Sequence, residues 1–190
     1  RKPMETRYKK VLHLPKWYPS RLDPQNGIFI QKHVAAINRY TSCAVLVALR
    51  DDKANGTEFH YTDQLGFPEM IVLYQPPLQG LPGLGKVVSI LAYMWAMHRG
   101  FYKLVKLWAM PQLVHVHVLT RPAAIAMLLK VTRNIPYLIS EHWSGYLDKG
   151  FQELPRLTKR ARRFLAKRAK AITVVGPLLQ QKLNEHLQVE

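Results

Sequence analysis

Residues 136–146 read PYLISEHWSGY, and the interpretation of this stretch decides the fold. Pro136 steers its predecessor away from helix, and Tyr137, Leu138 and Ile139 form a short apolar run rich in strand formers. Ser140, Glu141 and His142 stand where that run stops, and Trp143, Ser144 and Gly145 turn the chain away. The pattern is that of a buried parallel strand whose carboxyl end delivers a carboxylate and an imidazole. In open α/β sheets ligands bind at that edge, because the loops there form the crevice. Taken alone, the stretch also fits a surface turn with a capping glutamate. The flanking sequence decides between them.

Working outward, strand and helix patterns alternate. Downstream lie a very basic helix over 155–170, a strand over 172–175 and a helix over 177–187 with Pro177 in its first turn. Upstream lie a strand over 114–118 (VHVHV) and a helix over 122–132. Nearer the amino end, 11–15 (VLHLP) reads as a strand, and a twelve-residue loop over 16–27 follows it. Asn26-Gly27 then opens a helix over 28–40, in which Ile30, Val34 and Ile37 share one stripe. Residues 43–49 (CAVLVAL) form a buried strand, and 51–56 a polar turn. Strands over 59–62 and 70–74 flank the Gly66-Phe67-Pro68 turn, and a long helix over 86–107 follows the Pro/Gly-rich 75–85. Such alternation predicts a mostly parallel sheet covered on both faces. The expected fold is α/β, a single doubly wound Rossmann-like domain over residues 1–190.

Composition sets further bounds. At 190 residues and 48% apolar the chain has enough material for a substantial core. A single cysteine, Cys43, excludes an internal disulfide and fits a reducing compartment. The amino end is polar and basic, with no signal-peptide pattern and a start available at Met4. The longest uncharged apolar run, 87–97, is too short to span a bilayer. A net charge of +16 is the outlier, and it points to phosphates, an anionic membrane or nucleic acid.

Several motifs reduce to simpler readings. GLPGLGK at 80–86 matches the first seven positions of a P-loop, but Val87 replaces the magnesium-holding Ser or Thr. Pro76-Pro77 also breaks the strand-to-loop join, so a linker is the better reading. His115 and His117 alternate with valines and face one side of the sheet. Only Glu141 is at hand to complete a zinc site with them, so no metal is expected. His117, nearer the carboxyl end, is expected to line a cleft. The G-x-G-x-x-G of dinucleotide binding and the G-x-S-x-G of esterases are both missing. Residues 156–170 carry eight cations and no carboxylate, and Leu157, Ala161, Phe164, Leu165 and the stem of Arg168 are expected to form their buried stripe. The helix over 86–107 combines Tyr93, Trp95, Phe101 and Tyr102 with His98, Arg99, Lys103 and Lys106. That mixture suits a membrane interface or an apolar face packed on the sheet. No helix-turn-helix, RRM or zinc pattern appears, so nucleic acid is not an expected partner.

Three segments carry a family resemblance. VLHLPKWYPSRLDPQNGIFIQKHVAAI (11–37) resembles the opening of bacterial family 4 glycosyltransferases of the GT-B type. LVHVHVLTRPAAIAMLLKVTRNIPYLISEHWSGY (113–146) is similar to their central segment, and AKAITVVGPLLQQKL (169–183) to the strand and helix closing their amino-terminal domain. Two departures stand out: the Gly-rich first loop is reduced to Gly27, and Gly176-Pro177 replaces a Ser-containing turn. The resemblance implies retaining transfer of a sugar from a nucleotide-sugar to a glycan or lipid-linked acceptor in cell-envelope polysaccharide synthesis. It implies no obligatory metal and no cofactor beyond the nucleotide-sugar co-substrate.

By motif position the resemblance implies that His142 is the active-site histidine and that Gly27 sits close to the donor phosphates, and Glu141 is expected to join Gly27 on the donor. Trp17, Tyr18, Asn26 and His117 fall on the acceptor side. A helix amino terminus after Gly27 offers N–H groups and a positive dipole end to a pyrophosphate, and His142 can donate to a sugar hydroxyl. The family's second domain, with its pair of glutamates, has no counterpart in these residues. The chain is therefore expected to be an amino-terminal half, inactive alone and peripheral on the inner face of the cytoplasmic membrane, with its anionic surface as a partner. The alternatives are a basic nucleic-acid-binding domain and a non-catalytic sugar-phosphate-binding domain of the same fold.

Overall fold

A computed structural model describes residues 9–77 and 84–189. Met4 and residues 80–83 of the GLPGLGK stretch lie outside the described residues. The chain divides into two compact units, residues 1–112 and 113–190. Each has the α/β, mostly parallel, Rossmann-like make-up that the sequence predicts.

The first unit runs β1 (Lys10–Pro15), α1 (Ile28–Ile37), β2 (Ser42–Arg50), β3 (Thr57–Thr62), β4 (Glu69–Tyr74) and α2 (Leu84–Leu107). β2 pairs in parallel with β1 on one side and with β4 on the other, while β3 pairs antiparallel with β4. Flanked on both sides, β2 is buried from Cys43 to Ala48, which explains its unbroken apolar run. α2 covers β2 and β4 with Tyr93, Ala96, Met97, Phe101 and Leu104. Gly100 lets the helix lie flush. A Cβ there would come within 2.7 Å of Leu46 and 2.8 Å of Val72.

The second unit runs β5 (Leu113–His117), α3 (Arg121–Arg133), β6 (Tyr137–Glu141), a 3-10 turn (Ser144–Tyr146), α4 (Gly150–Glu153), α5 (Arg156–Arg168), β7 (Ile172–Val174) and α6 (Pro177–Leu187). β6 pairs in parallel with both β5 and β7. α3 ends on Asn134 in the left-handed conformation, a position that asparagine tolerates well. Tyr137 is buried beneath α5 and donates its hydroxyl to the Leu165 carbonyl at 2.5 Å.

Two sequence expectations are corrected here. α5 is rotated about a third of a turn from its expected setting, which leaves Leu165 half-buried. Leu157 is 78% exposed and Phe164 45% exposed, whereas Arg162 and Ala166 are buried. The reason is Arg162, whose guanidinium lies 4.4 Å from the Trp143 ring and 3.4 Å from the Tyr146 hydroxyl. The second correction concerns Tyr18. It is fully buried, and its hydroxyl donates to Glu69, a buried carboxylate that also accepts from Gln31 at 3.2 Å. Tyr18 therefore presents no surface to an acceptor, and it anchors the long loop to β4.

Tyr18→Phe removes one of the two side-chain donors to a buried carboxylate. It is expected to cost on the order of 1–3 kcal/mol in chemical denaturation. A melt within error of wild type would show that the loop does not depend on this bond.

Candidate functional site

At the carboxyl ends of β5 and β6 the chain is organised by one carboxylate. Glu141 is fully buried; its Oε2 accepts the Leu119 N–H at 2.9 Å, and its Oε1 accepts those of His142 and Trp143, each at 2.9 Å. Burial pushes its pKa above the ordinary carboxylate range, although the three N–H groups and nearby Arg162 pull it the other way. The expected contact between Glu141 and donor phosphates is corrected by this geometry. Its oxygens are committed to the backbone, and it offers them neither to a ligand nor to a metal held by His115 and His117. Beside it, Val118 holds a positive φ of 71°, which a β-branched residue rarely adopts. The Val118 N–H bonds to the Ser140 carbonyl and the next N–H to Glu141, so the strained residue is held from both sides.

Three imidazoles form a row in this unit. His115 and His117 stack with ring centres 4.3 Å apart, and His117 and His142 lie nearly parallel at 6.2 Å. His115 Nε2 meets the Ser140 hydroxyl at 2.7 Å, and Ser140 meets the Thr173 hydroxyl at 2.7 Å, a polar chain across β5, β6 and β7. His117 is 1% exposed, so the expectation that it lines a cleft is corrected. It sits inside the row. His142 is half-buried, fixed at its own N–H by Glu141.

The WSGY segment after His142 packs on itself. The Trp143 ring lies where a Cβ on Gly145 would be, 2.2 Å away, so only glycine fits at 145. Tyr146 meets Trp143 edge-on at 5.1 Å and stacks with Phe151 at 5.3 Å. Burial raises the Tyr146 phenol well above its ordinary pKa. Arg162 over Trp143 closes the packing from α5.

In the first unit Trp17, Asn26 and Gly27 come together around the start of α1. Gly27 has φ 72°, and a Cβ there would stand 2.3 Å from the Trp17 carbonyl oxygen. Both counts demand glycine. The Gly27 carbonyl accepts the N–H groups of Ile30 and Gln31, and the first turn of α1 carries no acidic residue. Its positive dipole end is therefore not neutralised from within the helix. Trp17 and Asn26 are half-buried, with the Lys16 ammonium 4.5 Å from the Trp17 ring. Arg21 secures the loop by bridging Asp51 at 2.8 Å and Glu58 at 3.0 Å.

Sequence reasoning missed Glu69, Asp51, Val118 and Arg162. A lone acidic residue opening an apolar strand, as in EMIVLY, was the available signal for Glu69. Nothing in the sequence marks Val118 as strained.

In open α/β sheets ligands bind outside the carboxyl ends of the strands, which is where His142 stands in the second unit. The family model for a glycosyl transferase 4-like domain matches residues 39–190, and the chain belongs to that family. The curated proteins contain no match to it. The matched span includes β2 to α6 and therefore His142, whereas Trp17 to Gly27 precede it.

Glu141→Gln keeps the shape but turns an amide NH2 toward a backbone donor. Hydrogen exchange is expected to accelerate at the amides of Leu119, His142 and Trp143, with a stability loss of about 1–3 kcal/mol. Unchanged protection at all three would mean that the carboxylate does not hold the loop.

Proposed function

We propose that this chain is the acceptor-binding half of a retaining hexosyltransferase serving cell-envelope polysaccharide synthesis. A second Rossmann-like domain holds most of the nucleotide-sugar donor. The bond from the anomeric carbon to the donor phosphate breaks, and a bond to an acceptor hydroxyl oxygen forms. The nucleotide leaves with its phosphates, which take up the proton that the acceptor hydroxyl loses. His142 donates a hydrogen bond to the transferred sugar, and the start of α1 after Gly27 favours the departing negative charge. Trp17 and Asn26 contribute to acceptor binding.

The observation that carries the reading is His142 itself. It is a half-buried imidazole at a strand's carboxyl end, with its backbone held by a buried carboxylate, in a chain of the glycosyl transferase 4-like family. Among the described residues no helix is long and apolar enough to cross a membrane. A net charge of +16 favours a peripheral position on the inner face of the cytoplasmic membrane, where a lipid-linked acceptor is met.

In the protein that carries both halves, His142→Ala is expected to lower turnover at least about a hundredfold, within the range of a lost transition-state donor. Its melting temperature is expected to shift little. A collapsed melt with full activity in the remaining folded fraction would make His142 structural. The 190-residue chain alone is expected to bind nucleotide-sugars weakly in calorimetric titration and to show no transfer. Binding tighter than about micromolar would argue against the division of roles.

A further inference from the structure

The rotation of α5 exposes a surface that the sequence pattern assigned to the core. Leu157, Ala161, Phe164 and Arg168 follow one another at helical spacing, and all four are exposed. Leu157 and Phe164 are large apolar side chains that a helix without a further contact would bury. The Arg168 guanidinium lies 3.7 Å from the Phe164 ring centre, which leaves a charge beside the apolar ridge. Arg156, Arg160 and Lys167 run along one flank of the ridge at steps of four and seven residues, also exposed. α5 contains no carboxylate. α3, which packs on α5, adds an exposed Val131 and likewise contains no carboxylate, while its Lys130 donates to the Arg168 carbonyl at 2.6 Å.

Cations that the fold uses internally are separate from this face. Arg162 is buried against Trp143, Arg163 donates to the His186 carbonyl at 2.8 Å, and Lys159 donates to the Gln152 carbonyl. What remains outward combines an apolar ridge with Arg156, Arg160 and Lys167, which no carboxylate bridges among the described residues. A polyanion such as duplex nucleic acid would use the cations and leave Leu157 and Phe164 in water. A lipid surface uses both: headgroup phosphates take the arginines and lysines, and the boundary with the acyl chains takes the ridge. We propose that α5 lies in the surface of an anionic phospholipid bilayer, with Leu157 and Phe164 inserted below the headgroups and the Arg156–Arg160–Lys167 flank at phosphate level. The inference deepens the peripheral position proposed above by naming the docking element and its mode. It adds a salt-resistant component to what would otherwise be charge attraction alone.

The test is co-sedimentation of the full chain with phosphatidylcholine vesicles, with and without phosphatidylglycerol, over a salt series. Three proteins are compared: wild type, Leu157→Ser/Phe164→Ser, and Arg160→Gln/Lys167→Gln. All substituted positions are exposed, and thermal melts verify that each variant is folded. Wild type is expected to bind the anionic vesicles and to keep part of that binding at high salt. The apolar double variant is expected to lose the salt-resistant part, weakening binding on the order of tenfold. The charge variant is expected to lose affinity at low salt, where the Debye length is longest. Absence of anionic-vesicle binding, equal binding to neutral vesicles, or an apolar variant equal to wild type at every salt overturns the proposal. So does tighter binding to duplex DNA than to any vesicle. No donor or acceptor enters the measurement, so its failure leaves the proposed transfer reaction standing, and failure of the His142 test leaves this one standing.

Discussion

The second unit depends on a single buried carboxylate holding three backbone N–H groups. Glu141 joins the loop after β5 to the loop after β6 through Leu119, His142 and Trp143. Removing a carboxylate from water is costly, and three backbone donors are the means by which this one is tolerated. Each such bond contributes on the order of 1 kcal/mol, so the three together offset the roughly 1–3 kcal/mol of strain in a left-handed valine. Val118 can therefore keep its φ of 71°, and the neighbouring His142 has a fixed backbone. The site's geometry follows from a residue that itself has no room for a ligand.

The first unit uses the same device in another place. Glu69 opens β4, is buried, and accepts from Tyr18 in the long loop and from Gln31 on α1. One carboxylate thus ties a strand, a loop and a helix together. Arg21, bridging Asp51 and Glu58, holds the loop's far side. Between these anchors the chain turns at Gly27, where only a residue without a Cβ passes the Trp17 carbonyl. A loop of this length would be mobile without such ties. Here the half-buried Trp17 and Asn26 have a defined setting.

The fold was legible because its signals are periodic. CAVLVAL, VHVHV and YLISE announced β2, β5 and β6, and the helices between them were found to within a few residues. α4 and the 3-10 turn were missed, since elements of four and three residues show no period. The site was legible only in outline. His142 and Gly27 stand out by residue type and position, but burial of Tyr18, His117 and Glu141 depends on partners far along the chain. α5 failed for an instructive reason. Apolar spacing pointed Leu157 and Phe164 inward, while the tertiary partner Trp143 drew in an arginine instead. Local pattern yields to a specific long-range contact wherever the helix lacks a strongly apolar face.

The antiparallel pairing of β3 with β4 also bears on the order in which the first unit assembles. The two strands are joined by the short segment 63–68, so their contacts close locally, on the scale of about 1–10 μs for a hairpin. The parallel pairs of β2 with β1 and with β4 each require longer loops to close first, which slows them. During synthesis β2 therefore leaves the ribosome before β4 exists, with CAVLVAL lacking its partner on one side. A bare apolar strand of that kind is an aggregation hazard. Slowing translation across residues 51–68 would prolong that interval.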